Sequence, residues 1–327
     1  MTNVVPFYKL TPVIVNLLQE IEYSKSIIEN ASIPIKLEQN IRRQSVLASS
    51  LYSAKIEGNE LHLSDLSNRF GFDKEKLEVF NLLKAINLVL SDNSEKFSIE
   101  DIKNLHKIVM SGLFAGSGHF RNEMNAIFDS NGSVVYLPPP PNLIEPLLKN
   151  LINYINDEKR EKIAVIKACV AHYMFEKIHP FIDGNGRVGR LILQSVMHKK
   201  GYGMKGLLSF EEYLNENRLK YYQSLEEPES DITGYLTYML KAISATSQKA
   251  KDLILSKENY SESDLLLPRR AEILNVINDH VIVTFNFIKR RFASVNERTL
   301  RYDLKFLQDK NFIIKLGTTK GVHYKSA

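Results

Sequence analysis

Twelve consecutive residues, His179-Pro180-Phe181-Ile182-Asp183-Gly184-Asn185-Gly186-Arg187-Val188-Gly189-Arg190, combine a base, a carboxylate, two guanidinium groups and three glycines. An imidazole such as His179 titrates near neutral pH and can take a proton from a reacting hydroxyl. Asp183 is a hard oxygen ligand of the kind Mg²⁺ accepts when it arrives with a nucleotide. Gly184 and Gly186 let the backbone come close to a ligand and are expected to take positive φ. Arg187 and Arg190, three apart, share a helix face and offer two forks to phosphate oxygens.

These groups need two helices to hold them. The run Ile163 to Ile178 is largely apolar and long enough for a buried helix. Pro180 disfavours helical geometry at His179, so that helix stops there. A second apolar-periodic run, Leu191, Ile192, Leu193, Val196 and Met197, closes on His198, Lys199, Lys200 and Gly201. Basic residues followed by glycine mark a helix C-terminus. The block is therefore helix, tight loop, helix start. A helix start presents free N–H groups and the positive end of the dipole, an anion site.

The block resembles HPFx(D/E)GNGRxxR, the signature of the Fic family, at every specified position. The resemblance implies a protein adenylyltransferase. AMP passes from ATP to a Ser, Thr or Tyr hydroxyl of a protein, and pyrophosphate is released. His179 would be the base and Asp183 the Mg²⁺ ligand. Asn185 and the amides around Gly184 and Gly186 would hold the α- and β-phosphates, Arg187 the β-phosphate and Arg190 the γ-phosphate. Doc-type kinases of the same superfamily carry Lys at the position of Gly186 and transfer the γ-phosphate, so glycine favours AMP transfer. Two other outcomes stay open: a DNA-binding regulator that only senses nucleotide, and an enzyme that removes AMP.

Upstream, apolar spacing predicts a helix from about Thr11, a break at Ile33-Pro34, and a second helix from about Lys36 to Gly58. Glu57 in its last turn meets the negative end of the dipole and calls for a cationic partner. Ser53 to Gly58 resembles the (S/T)xxxE(G/N) pattern of the inhibitory helix that precedes the catalytic block in one class of Fic proteins. In that likeness Glu57 pairs with Arg190 and blocks the γ-phosphate position. Helices are expected over Leu63–Phe70, Lys74–Leu90 and Ile102–Met110, the last opened by a Ser98/Asp101 capping signal. Gly118-His119-Phe120-Arg121 is similar to the element before the family's flap. The flap itself would be a hairpin of Ile127-Phe128 and Val134-Val135-Tyr136-Leu137 around Asn131-Gly132, registering a target strand. A proline run, 138–141, leads into a helix from Leu143 to Asn156. Tyr213, Asn217 and Tyr221 match the tyrosine and NRxxYY-like run that lines the family's nucleoside pocket.

The fold class expected is mainly α: a Fic-type helical bundle with a β-hairpin flap, plus a C-terminal winged helix-turn-helix. Residues 1–100 would be an N-terminal helical region, 101–255 the catalytic core and trailing helices, and 256–327 a linker and winged helix. The net charge of +5 is unevenly placed. From Leu265 to Ala327 there are 12 Lys and Arg against 5 Asp and Glu, so 12 − 5 = +7, leaving 5 − 7 = −2 elsewhere. The segment Thr299-Leu300-Arg301-Tyr302-Asp303-Leu304 resembles a pattern of bacterial regulators, and such a basic module serves DNA or protein partners. Neither a signal peptide nor a membrane span is evident, and the single cysteine, Cys169, fits a reducing cytoplasm.

Overall fold

The computed structural model describes residues 5–63, 65, 73–128, 132–159, 161, 163–256, 263, 266–280, 282–293, 295–317 and 322–327. The expected helix over Leu63–Phe70 lies almost wholly outside them, as do most of the expected linker after Ser256, Asn131 of the expected flap turn and residues 318–321. Contacts divide the chain into two compact units. The first comprises Met1–Ala31, Arg42–Leu63 and Gly71–Leu255, and the second Ser32–Ile41, Ser64–Phe70 and Ser256–Ala327. The regions expected at 1–100 and 101–255 thus fall mostly within one unit.

In the first unit, α1 (Pro12–Asn30) starts where Thr11 accepts from the Ile14 amide and Pro12 supplies a fixed φ at the first position. Helix α2 (Ile35–Ile56) follows the Ile33-Pro34 break; its residues from Arg42 onward belong to this unit and those up to Ile41 to the second. It ends on Gly58, whose φ of +102° suits glycine, with the Asn59 amide returning to the Ala54 carbonyl. Then come α3 (Lys74–Ser91) and α4 (Ile99–Val109), the latter opened by a complete Ser98/Asp101 capping box. Strands β1 (Ile127–Phe128) and β2 (Val134–Tyr136) pair antiparallel with an irregular register, and Leu137 falls outside the ladder. Next is α5 (Pro141–Asn156).

At the centre, α6 (Ala164–Ile178) packs on α7 (Asn185–Lys199). Val165, Ile166, Ala168, Cys169, Val170 and Ala171 of α6 are all buried, which is why its sequence is apolar on every side. Helix α7 buries Val188, Leu191, Ile192, Leu193 and Val196, and packs on α3 and α4 as well as α6. Helices α8 (Phe210–Glu216), α9 (Arg218–Leu225) and α10 (Thr233–Ser256) complete the unit. Among the described residues no helix is long and apolar enough to cross a membrane.

The second unit contains α11 (Pro268–Asp279), β3 (Val283–Thr284), α12 (Phe285–Arg291), α13 (Glu297–Asp309), β4 (Ile313–Leu316) and β5 (His323–Ser326). Its antiparallel sheet has the order β3-β5-β4. Strand β3, not anticipated, is two residues long; pairing with Tyr324 and His323 of β5, rather than any local pattern, makes it a strand. Ile273, Ile277, Ile288, Leu300, Leu304 and Leu307 build the core. Asp303 is buried among them and is paired to Arg269 Nε at 2.5 Å and Arg270 Nε at 2.9 Å, so two of the segment's cations are spent inward.

Candidate active site

The site sits where α6 ends and α7 begins. His179 closes α6 in the left-handed conformation, φ 48° and ψ 60°, a costly state for a residue with a Cβ. Arg121 holds it there. Its Nε donates to the His179 carbonyl at 2.8 Å, its backbone N–H to the Pro180 carbonyl at 2.9 Å, and its Nη1 to the Glu123 carbonyl at 2.9 Å. The same guanidinium reaches the Pro139 carbonyl at the far end of the flap. The sequence marked Arg121 as part of a pre-flap element, but its work as a clamp on carbonyls became visible only in three dimensions.

Phe181 is the loop's plug. It is fully buried and stacks on His106 of α4, with ring centroids 3.6 Å apart and planes 5° from parallel. His106 Nδ1 accepts from the Gly118 amide at 2.8 Å, so its proton is on Nε2, which donates to the Asp183 carbonyl at 3.0 Å. Asn185 braces the loop from inside: its Oδ1 accepts from the Phe181 amide and its Nδ2 donates to the Phe181 carbonyl, each at 2.9 Å. Both polar atoms of the Asn185 side chain are thus engaged with the Phe181 backbone. Gly184 takes φ +82° there.

Gly186 corrects an expectation. It is helical, and positive φ is not what glycine supplies here. A Cβ at Gly186 would lie 2.5 Å from Glu57 Oε1 and 3.2 Å from Arg190 Nη1, so its role is open space above the helix start. Arg187 and Arg190 also diverge. Arg187 Nη1 pairs with Glu78 Oε1 at 2.5 Å and its Nη2 with Asp183 Oδ1 at 2.7 Å. Arg190, 1% exposed, donates from Nε to Ser53 Oγ at 3.0 Å, and from Nη2 to the Ser53 carbonyl and to Glu57 Oε1, both at 2.9 Å. The cation demanded by Glu57 at the end of α2 is thus Arg190. Glu78, unremarked in the sequence because it stands among ordinary helix residues of α3, also accepts from Asn59 Nδ2 at 2.9 Å.

Burial lowers the His179 pKa to about 4, so the imidazole is neutral at pH 7, and its buried Nδ1 has no partner among the described residues. Burial likewise lowers His106 to about 4 and His172 to about 3. Asp183 is 59% exposed, and its Oδ1 also accepts from the Gly184 amide at 2.5 Å. Among the described residues no cluster of three His, Cys, Asp or Glu side chains could hold a metal ion. A single accessible carboxylate fits Mg²⁺, which keeps waters and takes most other ligands from substrate phosphates.

The β1–β2 hairpin is tied to the last turn of α6. Tyr136 Oη donates to the Lys177 carbonyl at 2.8 Å, while Val134 and Val135 are exposed and Ile127 is half-buried. The three nucleoside-pocket candidates are less uniform. Tyr221 is buried, its hydroxyl engaged with His172 Nε2 at 3.1 Å. Tyr213 and Tyr221 flank Tyr238, with centroids 6.0 Å and 6.4 Å from it, and Asn217 Nδ2 donates to the Tyr213 carbonyl. Tyr222, which the sequence did not single out, donates to the Ile56 carbonyl at the end of α2.

Residues 96–197, which include the whole block, match the family model described as Fic/DOC family. That segment is thus similar to a Fic/DOC domain. It is 27% identical over 218 residues to a probable protein adenylyltransferase of Aquifex aeolicus, an alignment spanning 67% of this chain and 62% of that protein. It is 28% identical over 238 residues to the protein adenylyltransferase Fic of Drosophila erecta, spanning 68% of this chain and 44% of that one. A crystal structure of a Fic family protein from Desulfovibrio desulfuricans shares the fold over 98% of both chains, with a TM-score of 0.68 at 23% identity. Fic-1 from C. elegans superposes over 75% of this chain with a TM-score of 0.60 at 22% identity. The chain therefore spans about three fifths and under half of the length of these two curated relatives.

Proposed function

We propose that the chain is a protein adenylyltransferase held back by its own Glu57. The observation that carries this is the neutral His179 beside a helix start over which Gly186 leaves room for phosphate. In this reading His179 takes the proton of a target hydroxyl, the freed oxygen attacks the α-phosphorus of ATP, and pyrophosphate leaves. The first amides of α7 and the Arg187 and Arg190 forks hold the phosphates in line, and positioning with charge neutralisation supplies most of the acceleration. Mg²⁺, held by Asp183, would neutralise charge on the phosphates. The exposed Val134 and Val135 of β2 give a target segment an edge to pair with. The named relatives support the reaction type. Glu57 occupies the space above Gly186 and half of the Arg190 fork, which supports inhibition over a purely scaffolding role.

Labelled nucleotide tests the reading. Label from α-³²P-ATP is expected on protein, including this chain, and none from γ-³²P-ATP. Transfer of the γ-label alone would overturn it.

For the second unit we propose duplex DNA as the partner. We read its order helix–strand–helix–helix–strand–strand as a winged helix, whose last helix would enter the major groove. The exposed stripe of α13 is Arg298, Arg301, Tyr302 and Lys305, spaced by three and four and opposite the buried Leu300, Asp303, Leu304 and Leu307. Lys289, Arg290 and Arg291 are exposed at the end of α12.

A further inference from the structure

Helices α2 and α7 face each other through two polar stripes with the same period. On α2 and the residue that follows it the stripe is Ser49, Ser53, Glu57; on α7 it is Gly186, Arg190, Gln194. Positions four apart recur on one helix face. The two helices run in opposite senses along it: Glu57 meets Gly186 and Arg190, Ser53 meets Arg190, and Ser49 meets Gln194. The first two of these rungs lie at the phosphate site. The third does not, being about 12 Å along α2 from Glu57 at 1.5 Å of rise per residue.

That third rung is built around a buried carboxylate. Glu211 of α8 is 1% exposed and Ser49 is also 1% exposed. Ser49 Oγ donates to Glu211 Oε2 at 2.8 Å. Gln194 Nε2 donates to Glu211 Oε1 at 2.7 Å and to Ser49 Oγ at 3.0 Å. Both oxygens of Glu211 are thus engaged by neutral donors, one of them from α2. An enclosed polar group loses its solvation and must keep its partners. Moving α2 away from α7 takes Ser49 from Glu211 and leaves one carboxylate oxygen without its donor.

We propose that the Ser49–Gln194–Glu211 cluster is a latch that positions α2, and through it Glu57, in the blocking position. It rests on the reading of Glu57 as inhibitory. Glu211 and Gln194 touch no phosphate in this arrangement; they act through Ser49 on the helix that carries Glu57. The latch sets how often α2 withdraws, whereas the Glu57–Arg190 pair sets what withdrawal releases.

The test uses the full chain with Ser49→Ala, Ser49→Thr and Glu211→Gln, each in the native background and combined with Glu57→Gly. Two quantities are measured: the rate of label transfer from α-³²P-ATP, and hydrogen–deuterium exchange of the peptide covering 49–58. Ser49→Ala and Glu211→Gln are each expected to raise transfer about three- to tenfold in the native background, the scale of one ordinary hydrogen bond. Each should change it less than about twofold when Glu57 is already Gly, because no blocking carboxylate then remains to release. Ser49→Thr, which keeps the hydroxyl, should restore the native rate. Exchange over 49–58 should quicken in Ser49→Ala while peptides of α6 stay unchanged. An equal gain in both backgrounds, or unaltered exchange over 49–58, would overturn the latch. A uniform rise in exchange across the unit would show ordinary core packing instead and would also overturn it. If Glu57→Gly itself gives no gain, the inhibitory reading fails, while the exchange measurement still decides whether the cluster holds α2.

Discussion

Replacing Glu57 with glycine is the perturbation that most directly probes the site. In the native arrangement Arg190 Nη2 is shared between the Ser53 carbonyl and Glu57 Oε1, each at 2.9 Å, and Glu57 Oε1 fills the space that Gly186 leaves open. In the proposed reading a triphosphate displaces that oxygen before Arg190 turns to it. Glu57 is 26% exposed and Arg190 1%, so the pair lies between a screened surface pair and an enclosed one. One hydrogen bond to a charged group contributes about 1.5–3 kcal/mol. Relieving it from the path to the reactive complex corresponds to a gain of about tenfold to a hundredfold in rate. The assay is the initial rate of label transfer from α-³²P-ATP at matched protein concentrations, with thermal midpoints recorded for each variant. Ser53→Ala should give a smaller gain, since the Ser53 carbonyl still holds Arg190. Glu57→Gly with Arg190→Ala should lose the gain, because the γ-phosphate then has no anchor. A Glu57→Gly rate at or below the native rate would refute the argument and leave α2 as scaffold.

His179→Ala should abolish transfer while ATP affinity by calorimetry changes less than about threefold; His179→Asn, which tolerates the left-handed backbone better, should behave alike and separates lost chemistry from backbone strain. Stability should peak near pH 6.5. Below that value the unfolded chain protonates His106, His172 and His179, which burial keeps neutral in the fold down to about pH 4, 4 and 3 for His179, His106 and His172 respectively, so stability falls with pH. Above it, Glu176 and Glu211, raised by burial to about 8 and about 7, hold protons that the unfolded chain has already lost, so stability falls as pH rises through those values. Thermal midpoints from pH 4.5 to 8.5 check both limbs, and Glu211→Gln should flatten the alkaline one. A duplex in low salt should bind the full chain with affinity that falls steeply as salt rises, and Arg298→Ala with Lys305→Ala should weaken it; binding to an acidic protein but to no duplex would overturn the DNA reading.

The arrangement of residues 179–190 was legible in the sequence because it is local. A base, a carboxylate, glycines and arginines within a dozen residues, between two apolar runs, already require helix, loop and helix start. Glu57 was legible in part, since a carboxylate in a last turn asks for a cation wherever that cation comes from. The identity of the cation needed the fold, because Arg190 is separated from it by more than a hundred residues. The same holds for Arg121, which stabilises the strained His179 through carbonyls, and for His106, whose stacking on Phe181 has no signature beyond a histidine on an apolar helix face. Glu78 and Glu211 were the least legible. Carboxylates on helices are ordinary in composition, and only enclosure beside Arg187 or beside Ser49 and Gln194 gives them meaning. Gly186 shows the division at one residue. Its type was plain from the chain, yet whether it served backbone conformation or open space depended on what stood opposite, and that was settled by the packing of α2 against α7.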